Sequence, residues 1–311
     1  MRAPHALASS ASAPPVGHPP DDELTAAAAD GQAACAVWWR RTPALDGQRV
    51  GTIGRYRADS AESGTAVLTA ACNLLMRRGC TLAVGPMDGS TWHRYRLVTA
   101  AGARPPFFLE PDTPLEWVHH FMAAGFAPFA HFYSAITPSL DRLELPSEAE
   151  FTSIAFRPLD LNDYEAEMQR IYCLSLECFR ENLLFSPIAW EEFASLYGPL
   201  KPHLREGFSW VAASAGTPVG LVFALPDLLQ ARRGDPVDTV VLKTLVTRPE
   251  LRGQGLGHAL VVRCLSAARE RGYRHVVFAL IREGNPSGRI GARYGRPMRS
   301  YTLFARELDR P

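Results

Sequence analysis

The sequence predicts an α/β protein built as two tandem halves, and three observations predict it. A β-branched run, Thr239 to Thr247, leads through the turn Arg252-Gly253-Gln254-Gly255-Leu256-Gly257 into a helical run ending at Gly272. A charged stretch, Leu140 to Phe151, contains Pro146 and separates two apolar-patterned regions. The earlier region repeats the strand–turn–helix order: Arg49 to Arg57 reads as a strand, Ala61 to Ala66 holds the turn position, and a helix runs to Gly79. At 311 residues, each half has length enough for its own core.

In chain order, residues 1–20 are rich in Ala, Ser and Pro and lack the apolar core of a signal peptide, so a disordered tail is expected. Residues 21–139 form the first half. Its helix to Gly79 is followed by a strand, Thr81 to Val84. Thr113-Pro114-Leu115-Glu116 then carries an N-cap, a proline at the first helical position and an acidic third residue, opening a helix that stops at Gly125-Phe126. Residues 140–150 are the linker and 151–311 the second half. Ser153 to Arg157 reads as a strand, and Asn162 with Glu165 as a capping box. Met168, Ile171, Tyr172, Ser175 and Phe179 recur at helical spacing, and a second helix runs from about Ile188 to Tyr197, with Gly198-Pro199 as its stop. Phe208 to Ala213 and Val219 to Ala224 form a hairpin through Ala215-Gly216-Thr217-Pro218. The glycine turn and its helix precede strands at His275 to Leu280 and near Tyr301 to Phe304.

Composition excludes several classes. With 47% hydrophobic and 21% charged residues the chain reads as an ordinary soluble protein, expected in the cytoplasm. A net charge of +1 leaves no electrostatic footprint for nucleic acid, and no apolar stretch spans a bilayer. Cys35, Cys72, Cys80, Cys173, Cys178 and Cys264 include no CxxC pair and read as reduced core residues. His119 and His120 point about 100° apart on a helix, so a shared metal is not expected.

A strand, a glycine turn and a helix N-terminus make a nest of backbone amides suited to a pyrophosphate, because orphan N–H groups and the positive helix end both favour anions. The turn lacks the Lys-Ser/Thr of a Walker loop, and it does not open a dinucleotide βαβ unit. Arg252, Gly255 and Gly257 match Q/R-x-x-G-x-G/A, preceded by Leu245-Val246-Thr247-Arg248-Pro249. Here the sequence resembles the GNAT superfamily of acyl-CoA N-acyltransferases over about residues 151–308. The resemblance implies a mixed, mostly antiparallel sheet flanked by helices, with acetyl-CoA as donor and no metal. It places pantetheine on the backbone of Leu245, Val246 and Thr247, with the Leu245 amide at the thioester carbonyl. Pyrophosphate then falls on Gly253, Gln254, Gly255, Leu256 and Gly257 beside Arg252, and Asn285 and Ser287 border the pantetheine arm. In the first half Gly64 and Ala66 match the motif but Ala61 replaces its Gln or Arg, which implies a degenerate partial copy.

Acyl transfer needs donor and amine held together, a stabilised oxyanion and proton transfer. The family's tyrosine acid falls on Ala292, so Tyr294 is the nearest candidate. Glu177, Glu181 and Asp227 are the carboxylates near the implied acceptor site, with Glu177 and Asp227 taken as base candidates, although a solvated surface role is the commoner one. Trp190, Phe193 and Tyr197 read as one buried helix face. Gly85 to Trp92 reads as a loop closing over strand ends, with a border of the acceptor pocket as the sharper alternative. The expected activity is transfer of acetyl from acetyl-CoA to a primary amine on a small molecule or peptide, by a monomer or homodimer. An acyl-CoA-binding pseudoenzyme and an aminoacyl-tRNA-dependent transferase are the alternatives.

Overall fold

The computed structural model describes residues 18–149 and 151–308. The tail expected over 1–20 therefore lies outside the described residues, except for its last three positions. Segment 21–50, which looks short for a family domain's opening, forms a hairpin of β1 (Asp22–Ala28) and β2 (Gly31–Trp38). Then come β3 (Val50–Ala58), α1 (Ala61–Arg77), β4 (Leu82–Gly85), β5 (Leu97–Ala100), α2 (Trp117–Ala123) and β6 (Ala127–Ile136). Beyond the connection follow β7 (Ala155–Pro158), α3 (Tyr164–Phe179), α4 (Trp190–Tyr197), β8 (Trp210–Ser214) and β9 (Thr217–Pro226). The chain ends with α5 (Leu228–Arg233), β10 (Thr239–Thr247), α6 (Leu256–Glu270), β11 (His275–Arg282), α7 (Ser287–Tyr294) and β12 (Arg296–Glu307).

One 12-stranded, mostly antiparallel sheet carries all of this, in the order β1-β2-β3-β4-β12-β6-β11-β10-β9-β8-β7, with β5 paired to β12. Its two parallel pairs, β3 with β4 and β10 with β11, are each joined by a crossover helix, α1 and α6. The two halves thus share a plan of hairpin, strand, helix, strand, helix, strand. Each half also gives its last strand to the other. β6 lies beside β11 rather than β4, and β12 lies beside β4 rather than β11. Burial explains the exchange: Tyr301 and Leu303 of β12 pack with Val84 and Phe132, and Phe304 packs on Phe121. Burying each such side chain is worth about 1.5–3 kcal/mol.

Several local expectations are corrected. Thr113 does not cap α2: its hydroxyl accepts from Val98 N at 2.9 Å, and α2 starts only at Trp117 without a side-chain cap. Asn162 and Glu165 form no capping box, because Asp160 accepts the amides of Asn162 and Asp163 and α3 begins at Tyr164. Gly198-Pro199 does not end the helical path, which tightens into a 3₁₀ segment, Gly198–His203. Cys173 is exposed, while the other five thiols are buried. No helix among the described residues is long and apolar enough to cross a membrane.

Candidate active site

β10 and β11 pair only over Thr239–Leu242 and His275–Phe278. Beyond Leu242 the strands diverge, and each carries a register shift against its outer neighbour, between Leu242 and Thr244 on β10 and between Phe278 and Ile281 on β11. Alternate backbone groups of β10 that turn away from β9 lose their strand partner there. The opening is a cleft of about 580 Å³ lined on these strands by Lys243, Thr244, Leu245 and Leu280. Asn285 and Ser287 also line it, where Asn285 Oδ1 accepts from the Ser287 amide and hydroxyl at 3.1 and 3.0 Å and so fixes the start of α7.

The glycine turn sits at the end of β10. Gly253 and Gly255 have φ of +81° and +86°, the left-handed region that favours glycine, and a Cβ on either would meet nothing within 4 Å. α6 then begins at Leu256 without a side-chain cap, leaving its first amides free to bind an anion. A Cβ on Gly257 would lie 3.7 Å from Thr247 Cγ2 and 3.9 Å from Leu245 Cδ2, so the turn and the open strand end are in contact. The structure therefore brings Leu245, Thr247 and the turn together. The Val246 side chain points into the core, leaving only its backbone to offer. Gln254 Nε2 is bonded to Glu250 O at 3.0 Å and steadies the turn.

Other expected residues are placed elsewhere. The Arg252 guanidinium reaches back to the end of α3, donating to Cys178 O at 3.1 Å and pairing with Glu181 just past the helix at 2.9 Å. Glu177, one helical turn before Glu181, pairs with Arg248 at 3.4 Å. These two carboxylates thus tie α3 to the turn rather than face the cleft. Asp227 is 4% exposed and is a brace: its Oδ1 accepts from Leu229 N at 3.1 Å, capping α5, and from Phe108 N at 2.8 Å in the other half. Burial pushes its carboxyl upward, against the backbone hydrogen bonds that favour the anion. Tyr294 is 3% exposed, outside the cleft, with its hydroxyl 2.6 Å from His258 Nε2 on α6. It packs α7 under the turn instead of facing a leaving group.

The first half supplies the rest of the cleft. Thr91 and Trp92 line it, as do His93 to Arg96 and Phe107 to Pro111. The end of the Gly85 to Trp92 loop thus borders this cleft, while Trp92 Nε1 bonds Ser186 O at 2.8 Å and anchors the loop to the second half. His93 Nε2 lies 2.7 Å from Glu192 Oε1 on α4. Tyr197 packs its ring on Phe193 as expected of a buried helix face, yet its hydroxyl also lines the cleft and accepts from Lys243 Nζ at 3.1 Å. His93, Arg96 and Lys243 were missed by sequence reasoning. Lys243 carried a signal, a lone charge in the apolar run Thr239 to Thr247. His93 and Arg96 carried none, because they reach the cleft only through contacts far apart in sequence.

The first half's own equivalent of this site is closed. After β3 and β4 pair over Val50–Thr52 and Leu82–Val84, the chain itself fills the divergence: Met87 N donates to Ile53 O at 2.7 Å and Asp88 Oδ1 accepts from Arg55 N at 2.6 Å. The start of α1 is capped by the Ser60 hydroxyl, which accepts from Ser63 N at 3.2 Å and donates to Asp30 at 2.6 Å. Gly64, unlike Gly255, is crowded: a Cβ there would overlap the Tyr56 hydroxyl and sit 2.7 Å from His120 Nδ1.

Residues 168–289 match the family model described as the Acetyltransferase (GNAT) family. Over those residues the chain carries a GNAT domain. Among solved structures it is similar to a GCN5-related N-acetyltransferase from Sphaerobacter thermophilus, at 15% identity and TM-score 0.53, covering 89% of this chain and 76% of that one. A tandem GNAT protein from the clavulanic acid biosynthesis pathway matches at 14% identity and TM-score 0.53, covering 94% and 85%. A GCN5-related N-acetyltransferase from Anabaena variabilis matches at 10% identity and TM-score 0.51, covering 90% and 63%. At these identities the likeness concerns the fold, which for the tandem protein extends through both halves. No curated protein matches the sequence significantly.

Proposed function

We propose that this GNAT protein transfers an acetyl group from acetyl-CoA to a primary amine by direct attack on the thioester, at one site per chain. The observation that carries this reading is the left-handed Gly253/Gly255 turn in contact with the open end of β10, beside the cleft. Amides of Gly253 to Gly257 would hold the pyrophosphate, and pantetheine would complete the missing strand edge along Leu245 to Thr247. The Leu245 amide would then polarise the thioester carbonyl, a group worth several kcal/mol as charge develops there. The acceptor would enter from the side walled by Trp92 to Arg96.

Proton transfer is assigned to His93. Its Nε2–H donates to Glu192, a geometry that leaves Nδ1 as the lone-pair nitrogen able to take the amine's proton. Tyr95 and Tyr197 are the cleft hydroxyls nearest in role to a thiolate acid, and a thiolate leaves readily without one. One observation favours the rival acyl-CoA-binding pseudoenzyme: Tyr294, the sequence's nearest match to the family acid, is outside the cleft. Isothermal titration with acetyl-CoA, followed by a thiol-release assay against an amine panel, tests both readings. Binding at one equivalent with amine-dependent release supports the transferase, and binding without release supports the rival. No binding of any acyl-CoA overturns both.

A further inference from the structure

The cleft is cationic in a way the GNAT reading does not use. Arg96 is 5% exposed and lies against β6 and β11, its guanidinium 3.7 Å from the Tyr95 ring centre and 4.1 Å from that of Phe132. Its hydrogen bonds go to carbonyls, Tyr95 O at 3.2 Å and Leu280 O at 3.3 Å. Lys243 faces the cleft from β10, bonded to the Tyr197 hydroxyl with its ammonium 4.6 Å from that ring's centre. Among the described residues neither cation forms an ion pair with a carboxylate. The carboxylate on the cleft wall, Glu110, is held by Arg299 at 2.8 Å and by the Tyr301 hydroxyl. Burial pulls the proton affinity of Arg96 down, and the groups that oppose this are two tyrosines, Tyr95 and Tyr301.

A buried guanidinium without a counter-anion is costly, and fixed carbonyls and ring faces offset only part of the lost hydration. Arginine's planar fork matches a carboxylate in two-point contact, and lysine adds a mobile point charge. Arg94 and Arg282 also line the cleft, so its net charge is positive. The turn that would take the pyrophosphate lies beyond β10's end, on α6, and does not draw on these side chains.

We propose that the cleft selects a reacting ligand bearing a carboxylate, bound by Arg96 and Lys243. This rests on the acyltransferase reading and adds the substrate class. The carboxylate can sit on the acceptor, as in an amino acid, or on the acyl group, as in a dicarboxylic acyl-CoA, and the two sources are separable.

The test uses matched pairs. For the acceptor, protein saturated with acetyl-CoA is given a panel of amino acids and, in parallel, their carboxamides. For the donor, affinity and turnover with succinyl-CoA are compared with those for acetyl-CoA. Each pair is repeated in Arg96→Met and Lys243→Met, with wild-type acetyl-CoA binding measured separately. A wild-type preference of about tenfold or more for the carboxylate member of either pair is expected, reflecting one charged hydrogen bond. Both substitutions should erase that preference, the ratio of the carboxylate to the uncharged member within each variant being the readout. The pair that shows it identifies the source. A merely structural Arg96 would lower both members equally, and that result overturns the proposal. Absence of any carboxylate preference in the wild type, including absence of turnover, also overturns it. If acetyl-CoA still binds in that case, the acyl-CoA site stands and only the substrate class falls.

Discussion

Replacing one glycine in each half tests whether the chain has a single cofactor site. Gly255→Ala puts a methyl group where nothing lies within 4 Å, so the fold meets no clash. The left-handed φ of +86° costs an alanine about 1–2 kcal/mol, a fall in Tm of roughly 2–4 °C per kcal/mol at this chain length. The same methyl would intrude on a pyrophosphate resting on the turn amides. Losing one charge-assisted hydrogen bond costs about 1.5–3 kcal/mol, so acetyl-CoA should bind about ten- to a hundredfold more weakly. Gly64→Ala predicts the reverse. Its methyl overlaps the Tyr56 hydroxyl and crowds His120 Nδ1, breaking a buried 2.8 Å hydrogen bond. Overpacking of about 1–3 kcal/mol outweighs the gain of about 0.5–1 kcal/mol from removing a helical glycine. Tm should fall while affinity and a stoichiometry of one stay as in the wild type. Calorimetric titration and thermal unfolding of both variants decide the matter. Two equivalents bound to the wild type, or weakened binding in Gly64→Ala with Gly255→Ala unaffected, would refute the single-site reasoning.

Three further outcomes follow from the same geometry. Asp227→Asn keeps an acceptor for the Phe108 and Leu229 amides, so kcat/KM should stay within about threefold, whereas Asp227→Ala should cost about 1–3 kcal/mol of stability in urea unfolding. His93→Gln should lower kcat by about 10²- to 10⁴-fold in single-turnover and steady-state assays, with Glu192→Gln having a smaller effect in the same direction and acetyl-CoA affinity unchanged. Burial holds His120 and His258 below the ordinary histidine value near 6.5. The unfolded chain therefore takes up more protons on acidification. The stability they contribute is present above about pH 6.5 and is lost as pH falls through the folded values. Tm measured across that window should drop, and His120→Gln should flatten the drop; an unchanged slope would exclude His120 as a contributor.

The fold was legible in the sequence wherever local periodicity and turn chemistry agree. The bounds of β10 match the β-branched run residue for residue, and Gly253 and Gly255 occupy the left-handed positions that only a glycine turn suits. Caps were less legible because several acceptors compete for the same amides: Asp160, rather than Asn162, takes the donors ahead of α3. The carboxylates lie off the cleft lining for a related reason. Glu177, Glu181 and Asp227 are near the implied cleft in sequence order, but each has an arginine or backbone partner that turns it aside. Sequence order carries no information about such partners.

The exchanged last strands explain why a half whose own cleft is filled remains part of the fold. β6 supplies the antiparallel neighbour that β11 needs where it leaves β10, and Ser134 Oγ on β6 accepts from the Leu280 amide at 3.0 Å. That hydrogen bond holds the divergent stretch of β11, which forms one wall of the cleft, and Arg96 donates to the carbonyl of the same Leu280. Removing the first half would strip β11 of its partner strand and expose Phe278 and Ile281, at a cost of about 1.5–3 kcal/mol for each buried side chain. It would also remove Trp92, His93 and Arg96 from the cleft. The plug of Met87 and Asp88 closes the first half's own cleft, and the same loop runs on into those three residues. Closure of one cleft and completion of the wall of the other therefore arise from a single stretch of chain, residues 86–96.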